Sequence, residues 1–365
     1  MPSKLPDLPQ DAINVLAMFP EFELAIFNDT GANGYVLIGR HAVLKKDVAI
    51  KIYFHAPNDV DQEPSIISQI NHENVLKVYD ARRLDSDSSY FLMPAASDGD
   101  LSNYLSNYYL PIPLAHKLLC QLLSGVAALH AKPNLLVHRD LKPENLLVHD
   151  DVVVIADFGS VRRIDQKTLK APASKHSILY RPLEAFGEAA FFDFSSDIYQ
   201  VGIIGFLLFG GKISNVLTDH MTEKEKAILA TLKDRFEQSI YIDSCIESRI
   251  RSGRLIDWDS LPVFVPNTIR KILKLATSTF DKRYKNVSDF LAALSKARAG
   301  LPDWIINKDG YLLRDWKGND YFLPEGENIV LKRKAGKKDF RTDKQYSGNC
   351  VADIFMQLRA NIVLP

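Results

Sequence analysis

The sequence predicts an α+β fold with strands and helices segregated along the chain. Three apolar runs rich in β-branched and aromatic residues, split by short turns, fill residues 22–54. From Leu101 on, apolar residues fall at helical spacing, most clearly Leu118, Leu119, Leu122, Leu123, Val126 and Leu129. Strands and helices do not alternate as βαβ units and no internal repeat is present, so a β-rich lobe precedes a helical lobe.

In chain order, the pattern predicts a helix over 10–18 before Pro20, then strands over 22–28, 35–41 and 48–54. Pro64 suits the first turn of a short helix over 64–70. Residues 75–79 and 90–93 read as two more strands, and 114–130 as a long helix. A helix over 197–209 has Ser195 or Ser196 as its expected N-cap, and further helices are expected over 223–232, 267–276 and 287–297. After Gly300-Leu301-Pro302 the pattern changes to a hairpin (311–316 and 321–323), a third strand over 328–332 and a closing helix over 349–360. The chain therefore divides into an N-terminal extension (1–20), a β-rich lobe (21–95), a helical lobe (96–300) and a small C-terminal α/β extension of unassigned role (301–365).

Composition narrows the class. With 365 residues the chain can bury a large core. Forty-five Lys+Arg balance 45 Asp+Glu, which removes any bulk attraction to nucleic acid or membrane. Cys120, Cys245 and Cys350 form no CxxC pair; reduced thiols and a cytoplasmic location are expected. The apolar run 201–209 is far short of the roughly 20 residues that span a bilayer, so no membrane partner is expected. In the extension, Lys332, Arg333, Lys334, Lys337, Lys338, Arg341 and Lys344 outnumber Asp339 and Asp343. A solvated basic face is the first reading and docking of a protein partner another; a nucleic-acid partner is not expected.

Residues suited to chemistry concentrate at four places. In Asp29-Thr30-Gly31-Ala32-Asn33-Gly34-Tyr35-Val36, Gly31 and Gly34 would let backbone N–H groups approach phosphates between two strands, although glycines there also serve a plain hairpin. Lys51, in the apolar strand Val48-Ala49-Ile50-Lys51, is costly to bury without a partner. Glu63 is the candidate partner, placed at the start of a shortened helix because Pro64 follows it directly. The third place is His138-Arg139-Asp140-Leu141-Lys142-Pro143-Glu144-Asn145, and the fourth is Asp157-Phe158-Gly159. Two carboxylates, a lysine and an amide so spaced can hold a divalent cation and a polyphosphate and point a hydroxyl at them.

His138-Arg139-Asp140 with Asn145, followed by Asp157-Phe158-Gly159 and preceded by Val-Ala-Ile-Lys, closely resembles the eukaryotic-type (Hanks-type) Ser/Thr protein kinase family from about residue 22 to 297. One departure lies in the Gly-rich loop, where Asp29 takes the place of the first glycine. The resemblance implies a bilobal kinase fold, ATP and Mg²⁺ as cofactors, and phosphoryl transfer to Ser/Thr of a protein substrate, including the chain itself. It implies that Asp140 is the catalytic base, that Lys142 reaches the γ-phosphate, and that Lys51, held by Glu63, meets the α/β-phosphates. Asn145 and Asp157 are the implied metal ligands. Gly31, Gly34, Val36, Ala49, Met93 and Ala95 are the implied nucleotide contacts, with Met93 as gatekeeper and Pro94-Ala95-Ala96 as hinge. Asp197 is expected to brace the catalytic loop, Glu184 to pair with Arg283, and Ser177 to contact the catalytic aspartate. Thr168, Ser174 and Ser177 are candidate phosphosites read by Arg139, and Asp98, Asp100 and Glu144 are expected at the substrate groove. A binding module on the same fold and a kinase-fold enzyme acting on small molecules remain as alternatives.

Overall fold

The computed structural model describes residues 8–29, 34–54, 63–107, 110–173, 177–299, 301–307, 309–316, 318–324, 326, 329–336 and 338–358. Helix α1 (Gln10–Ala17) precedes strands β1 (Phe22–Asn28), β2 (Gly34–His41) and β3 (Lys46–Phe54). Helix α2 (Glu63–Ser68), β4 (Asp80–Arg83) and β5 (Ser88–Pro94) complete the first lobe. The sheet is antiparallel in the order β1-β2-β3-β5-β4. Alternation along β3 explains why that strand reads as almost wholly apolar. Val48, Ile50 and Ile52 face outward into a small core sealed by Ala12 and Val15 of α1, while Ala49 and Tyr53 face the main core. Phe19 packs edge-on against Tyr90 of β5 at 5.4 Å, closing the same outer layer.

The expected strand over 75–79 is not in this sheet. Its two ends bond to different lobes: Tyr79 N–H donates to Leu92 O of β5 (2.7 Å), whereas the start of the segment pairs with the helical lobe. Leu76 N–H donates to Ile155 O (2.9 Å), and Ile155 N–H donates to Asn74 O (2.9 Å). The segment is a tie between lobes, and β4 forms a few residues later.

The second lobe holds α3 (Leu101–Asn107), α4 (Ile112–His130), β6 (Leu136–Val137), β7 (Leu146–His149), β8 (Val152–Ile155), β9 (Arg162–Arg163), β10 (Ala171–Pro172) and β11 (Phe191–Phe192). Then come α5 (Phe194–Leu208), α6 (Glu223–Leu229), α7 (Arg235–Arg251), α8 (Asn267–Ala276) and α9 (Val287–Arg298). By length and composition α4 would cross a bilayer, but Leu119, Leu122, Leu123, Val126 and Leu129 are fully buried inside the protein. Helix α5 is the centre of this lobe. Gly205 lets it lie close to its neighbours, since a Cβ there would come within 2.7 Å of Leu273 of α8 and 3.1 Å of Leu119 of α4.

Asp193 caps α5, in place of the expected Ser195 or Ser196. Its carboxylate accepts from Ser195 N (2.8 Å) and Ser196 N (3.1 Å), and Ser196 Oγ accepts from Asp193 N (3.1 Å). This is a capping box in which the serine is the returning partner. Asp193→Ala is expected to lower stability by about 1–2 kcal/mol, read as a shift in the urea midpoint with unchanged slope.

Strands β12 (Asp303–Asn307), β13 (Gly310–Trp316), β14 (Asn319–Pro324), β15 (Ile329–Ala335) and β16 (Arg341–Gly348) form an antiparallel meander, and α10 (Val351–Leu358) closes it. This extension shares its core with the helical lobe. Trp304 and Phe264 stack at 5.9 Å, and Phe355 lies 5.5 Å from Trp304. The described residues of the basic patch lie on β15, β16 and the turn between them. Asp343 and Asp320 take up Arg333 (3.6 Å) and Lys334 (2.8 Å).

Candidate active site

Strand register brings four of the expected residues onto one face. Val36 of β2 and Phe91 of β5 lie directly across from Lys51, and Ala49, two residues along β3, lies across from Met93. Side chains two apart on a strand share a face, so Val36, Ala49, Lys51 and Met93 line the inner surface of the sheet. Ala95 follows β5, and its N–H donates to Asp47 O at 3.3 Å. Gly34 opens β2, where a Cβ would lie 2.0 Å from Ile52 O, so strand pairing alone demands glycine there. Gly31 lies outside the described residues. Glu63 begins α2, as the adjoining proline implied, and its side chain lies outside the described residues.

The catalytic loop runs from β6 to β7 and is held from beneath. Asp197 of α5, fully buried, accepts from His138 N (2.8 Å) and Arg139 N (3.0 Å), and His130 Nε2 lies 2.9 Å from it. Gln200, one helical turn on, accepts from Leu141 N (3.0 Å) and donates to Arg139 O (3.2 Å). Gln200 was not singled out from the sequence; its spacing of three from Asp197 on one helix face was the available signal. Arg139 (φ 70°), Asp157 (φ 56°) and Ser177 (φ 40°) adopt the left-handed backbone region. Each costs about 1–3 kcal/mol for a residue with a side chain, and the surrounding bonds offset it.

Asp140 is buried, and its two oxygens differ. Oδ2 accepts from Asn145 Nδ2 (3.1 Å) and lies 3.4 Å from Lys142 Nζ. Oδ1 is buried with no hydrogen-bond partner. The expected contact from Ser177 to this aspartate is therefore not made. Asn145 Nδ2 also donates to Asp140 O (2.7 Å), which leaves the amide oxygen as an acceptor. Across the cleft, Lys51 Nζ lies 3.4 Å from Asp157 Oδ1. Burial alone would push the Asp157 carboxyl up, but Lys51, then His138 and Lys142, hold it below the usual carboxylate range. Phe158 is buried and meets the His138 ring edge-on at 5.6 Å, which fixes Asp157 to the catalytic loop.

Two hard oxygen donors, Asn145 and Asp157, fit a small divalent cation that keeps waters and takes its other ligands from a polyphosphate. Among the described residues there is no group of three or more His, Cys, Asp and Glu that would make a closed metal cage. The donor set thus fits a metal shared with a nucleotide better than a structural metal.

The family model described as the protein kinase domain matches residues 30–286. The chain belongs to the protein kinase family. Relatives of the kinase include "Serine/threonine-protein kinase GIN4" of Saccharomyces cerevisiae, 30% identical over 206 residues, covering 50% of this chain and 18% of that protein. "Serine/threonine-protein kinase PrkC" of Bacillus subtilis is 32% identical over 194 residues, covering 50% of this chain and 29% of that protein. "Probable serine/threonine-protein kinase MARK-C" of Dictyostelium discoideum is 28% identical over 217 residues, covering 56% of this chain and 28% of that protein. The kinase thus spans less than a third of the length of each of these relatives.

Its activation segment, from Asp157 to Glu184, is anchored at both ends. Strand β9 pairs with β6, and β10 pairs with β11. Arg139 donates from Nε to Ser160 O (2.6 Å) and from Nη1 to Pro172 O (2.5 Å). Burial and neighbouring Arg162 push its pKa down to about 10, so it stays charged at neutral pH. At the far end Glu184 and Arg283 form a buried two-pronged pair, with Oε1 2.7 Å from Nη1 and Oε2 3.3 Å from Nη2. Asp100 accepts from Asn103 N (2.8 Å) and Asp98 from Asp150 N (3.2 Å), so both acidic groups brace local backbone, while Glu144 is exposed.

Lys51→Met is expected to raise the Asp157 pKa, because the strongest charge holding it down is gone. A lowered native pKa adds stability above the unfolded value, and that stability is lost as pH falls through the native value. The stability gap between wild type and Lys51→Met is therefore expected to narrow as pH drops through the acid range. Urea midpoints measured across that range check this, and a gap independent of pH would contradict the assignment.

Proposed function

We propose that this kinase is catalytically active, transferring the γ-phosphoryl of ATP to Ser/Thr hydroxyls of protein substrates and of itself. The observation that carries the proposal is the buried, unpartnered Asp140 Oδ1, on a carboxylate whose other oxygen, Oδ2, is held by Lys142 and Asn145. An orphaned buried carboxylate oxygen is costly, and an incoming hydroxyl would satisfy it. In this reading Asp140 accepts the hydroxyl proton and orients the nucleophile. Lys142, on the other Asp140 oxygen, offsets negative charge growing on the transferred group. Lys51 orients the α/β-phosphates, and the wall of Val36, Ala49 and Met93 takes the adenine. Asn145 and Asp157 would hold a Mg²⁺ ion, which would supply neutralisation of polyphosphate charge.

The test is incubation with labelled ATP, Mg²⁺ and a general Ser/Thr protein substrate, with Asp140→Asn as control. Transfer to substrate and to the chain, lost in the variant, supports the reading; no transfer by wild type refutes it.

Loop phosphorylation is not needed to order the activation segment in this reading. Arg139 already ties the segment down through Ser160 O and Pro172 O, and the Lys170 ammonium sits 3.7 Å over the Phe191 ring. Thr168 Oγ1 donates to Asp165 Oδ1 (3.0 Å), so a phosphate there would break that bond and face a carboxylate. Ser174 lies outside the described residues. Phosphatase-treated protein is expected to keep activity within about twofold of the untreated enzyme, a difference too small for the loss of a charge-assisted clamp. A loss of tenfold or more in steady-state kcat would restore Arg139 as a phosphate reader.

A further inference from the structure

Behind the Glu184–Arg283 pair lies a second cavity of about 410 Å³ that shares no residue with the nucleotide cleft. It opens between the C-terminal end of α7, the segment carrying Trp258, and the turn after α8. Its floor is apolar, built from Ile250, Leu255 and the buried Tyr199. Three cations, Arg251, Lys274 and Lys282, stand around it, and no carboxylate is among its described lining residues. Arg251 is paired with Glu247. The Lys274 ammonium rests 5.3 Å over the Trp258 ring and makes no ion pair with a described carboxylate. Asp281, next to Lys282 in sequence, accepts the Thr279 hydroxyl at 2.6 Å, and that bond, with weaker help from Lys282 and Lys285, holds its carboxyl below the usual range. Like charges gathered around a low-dielectric hollow repel one another and attract an anion.

We propose that this cavity is a binding site for a phosphomonoester carried on a small apolar body. The phosphate sits among Lys274, Lys282 and Arg251, and the body lies on Ile250, Leu255 and Tyr199. A dianion suits a rim of three cations better than a carboxylate, and the volume leaves room for a ring-sized group beyond the phosphate. The position has a consequence for the segment in front of it. Leu183, beside Glu184, is part of the wall. Ser278, also in the wall, accepts from Arg283 Nε (3.1 Å) and Nη2 (3.0 Å) through its carbonyl. A ligand in the cavity therefore touches both neighbours of the buried pair that anchors the activation segment.

The full chain is titrated with phenyl phosphate while tryptophan fluorescence is followed, since Trp258 lines the site. A saturable change is expected, absent from Trp258→Phe and unaltered in Lys51→Met, which leaves the cavity intact. Lys274→Glu/Lys282→Glu is expected to weaken binding by about tenfold or more, since each change swaps a favourable charge for a repulsive one. Benzoate, with the same ring and a single charge, is expected to bind several-fold more weakly. No saturable change in wild type, unchanged affinity in the double lysine variant, or benzoate binding as tightly as phenyl phosphate would each overturn the proposal.

Discussion

Asp140→Asn is expected to lower kcat about 10²- to 10⁴-fold, the range over which a positioned acid–base group acts. The amide keeps the size of the carboxylate and can still meet Asn145, so the loop should hold its shape. What it loses is the capacity to accept a proton at Oδ1, the oxygen left without a partner in the buried cleft. ATP affinity should change little, because Lys51, Asn145 and Asp157 remain. Steady-state kinetics with nucleotide binding measured separately checks this. A kcat within tenfold of wild type would remove Asp140 as the base, and a parallel collapse in ATP binding would point to a structural lesion instead.

Arg283→Ala is expected to destabilise the protein by about 3–5 kcal/mol, the cost of leaving a buried charge without its partner. The Arg283 and Glu184 side chains are 0% and 4% exposed, so water cannot take over. Arg283 also donates to Ser195 O (2.9 Å) and Ser278 O (3.0 Å), so its loss removes those bonds and leaves Glu184 with only the Ser196 hydroxyl (2.9 Å). Glu184→Gln/Arg283→Met removes both charges and should recover part of the loss. Urea denaturation of the two variants tests the pair. Equal destabilisation in both would mean that the lost carbonyl bonds, not the stranded carboxylate, dominate.

How much of this was legible beforehand depended on whether the signal was local. The residues from His138 to Asn145 and Asp157 to Gly159 stood out because their motif spacing is local; Val36, Ala49, Lys51 and Met93 were implied by the family resemblance, and strand register puts them on one face. Helix α7 escaped notice because its buried face is only Cys245, Ile246 and Ile250, while Phe236 and Ile240 point to solvent. Strand β16 is polar along most of its length and pairs on one side only, so it carries no apolar rhythm. Residues 75–79 looked like a strand because Val75, Leu76, Val78 and Tyr79 form an apolar run, and nothing in their composition says that Leu76 pairs with Ile155 of the helical lobe while Tyr79 pairs with Leu92 of β5. Ser177 was expected at Asp140 by position in the motif; whether a hydroxyl reaches a carboxylate is decided by loop geometry that spacing does not encode.

The layer formed by α1 on the outer face of the first sheet bears on how the protein can be handled. The family match starts at residue 30, and a clone cut to that boundary would lose α1 and β1 together. Leu37, Val48, Ile50 and Ile52, all fully buried in the whole chain, would then form an open greasy slab beside an unpaired β2 edge. Such a fragment should precipitate or pair with itself for reasons unrelated to its chemistry. A shortened clone meant for assays should start no later than Leu8.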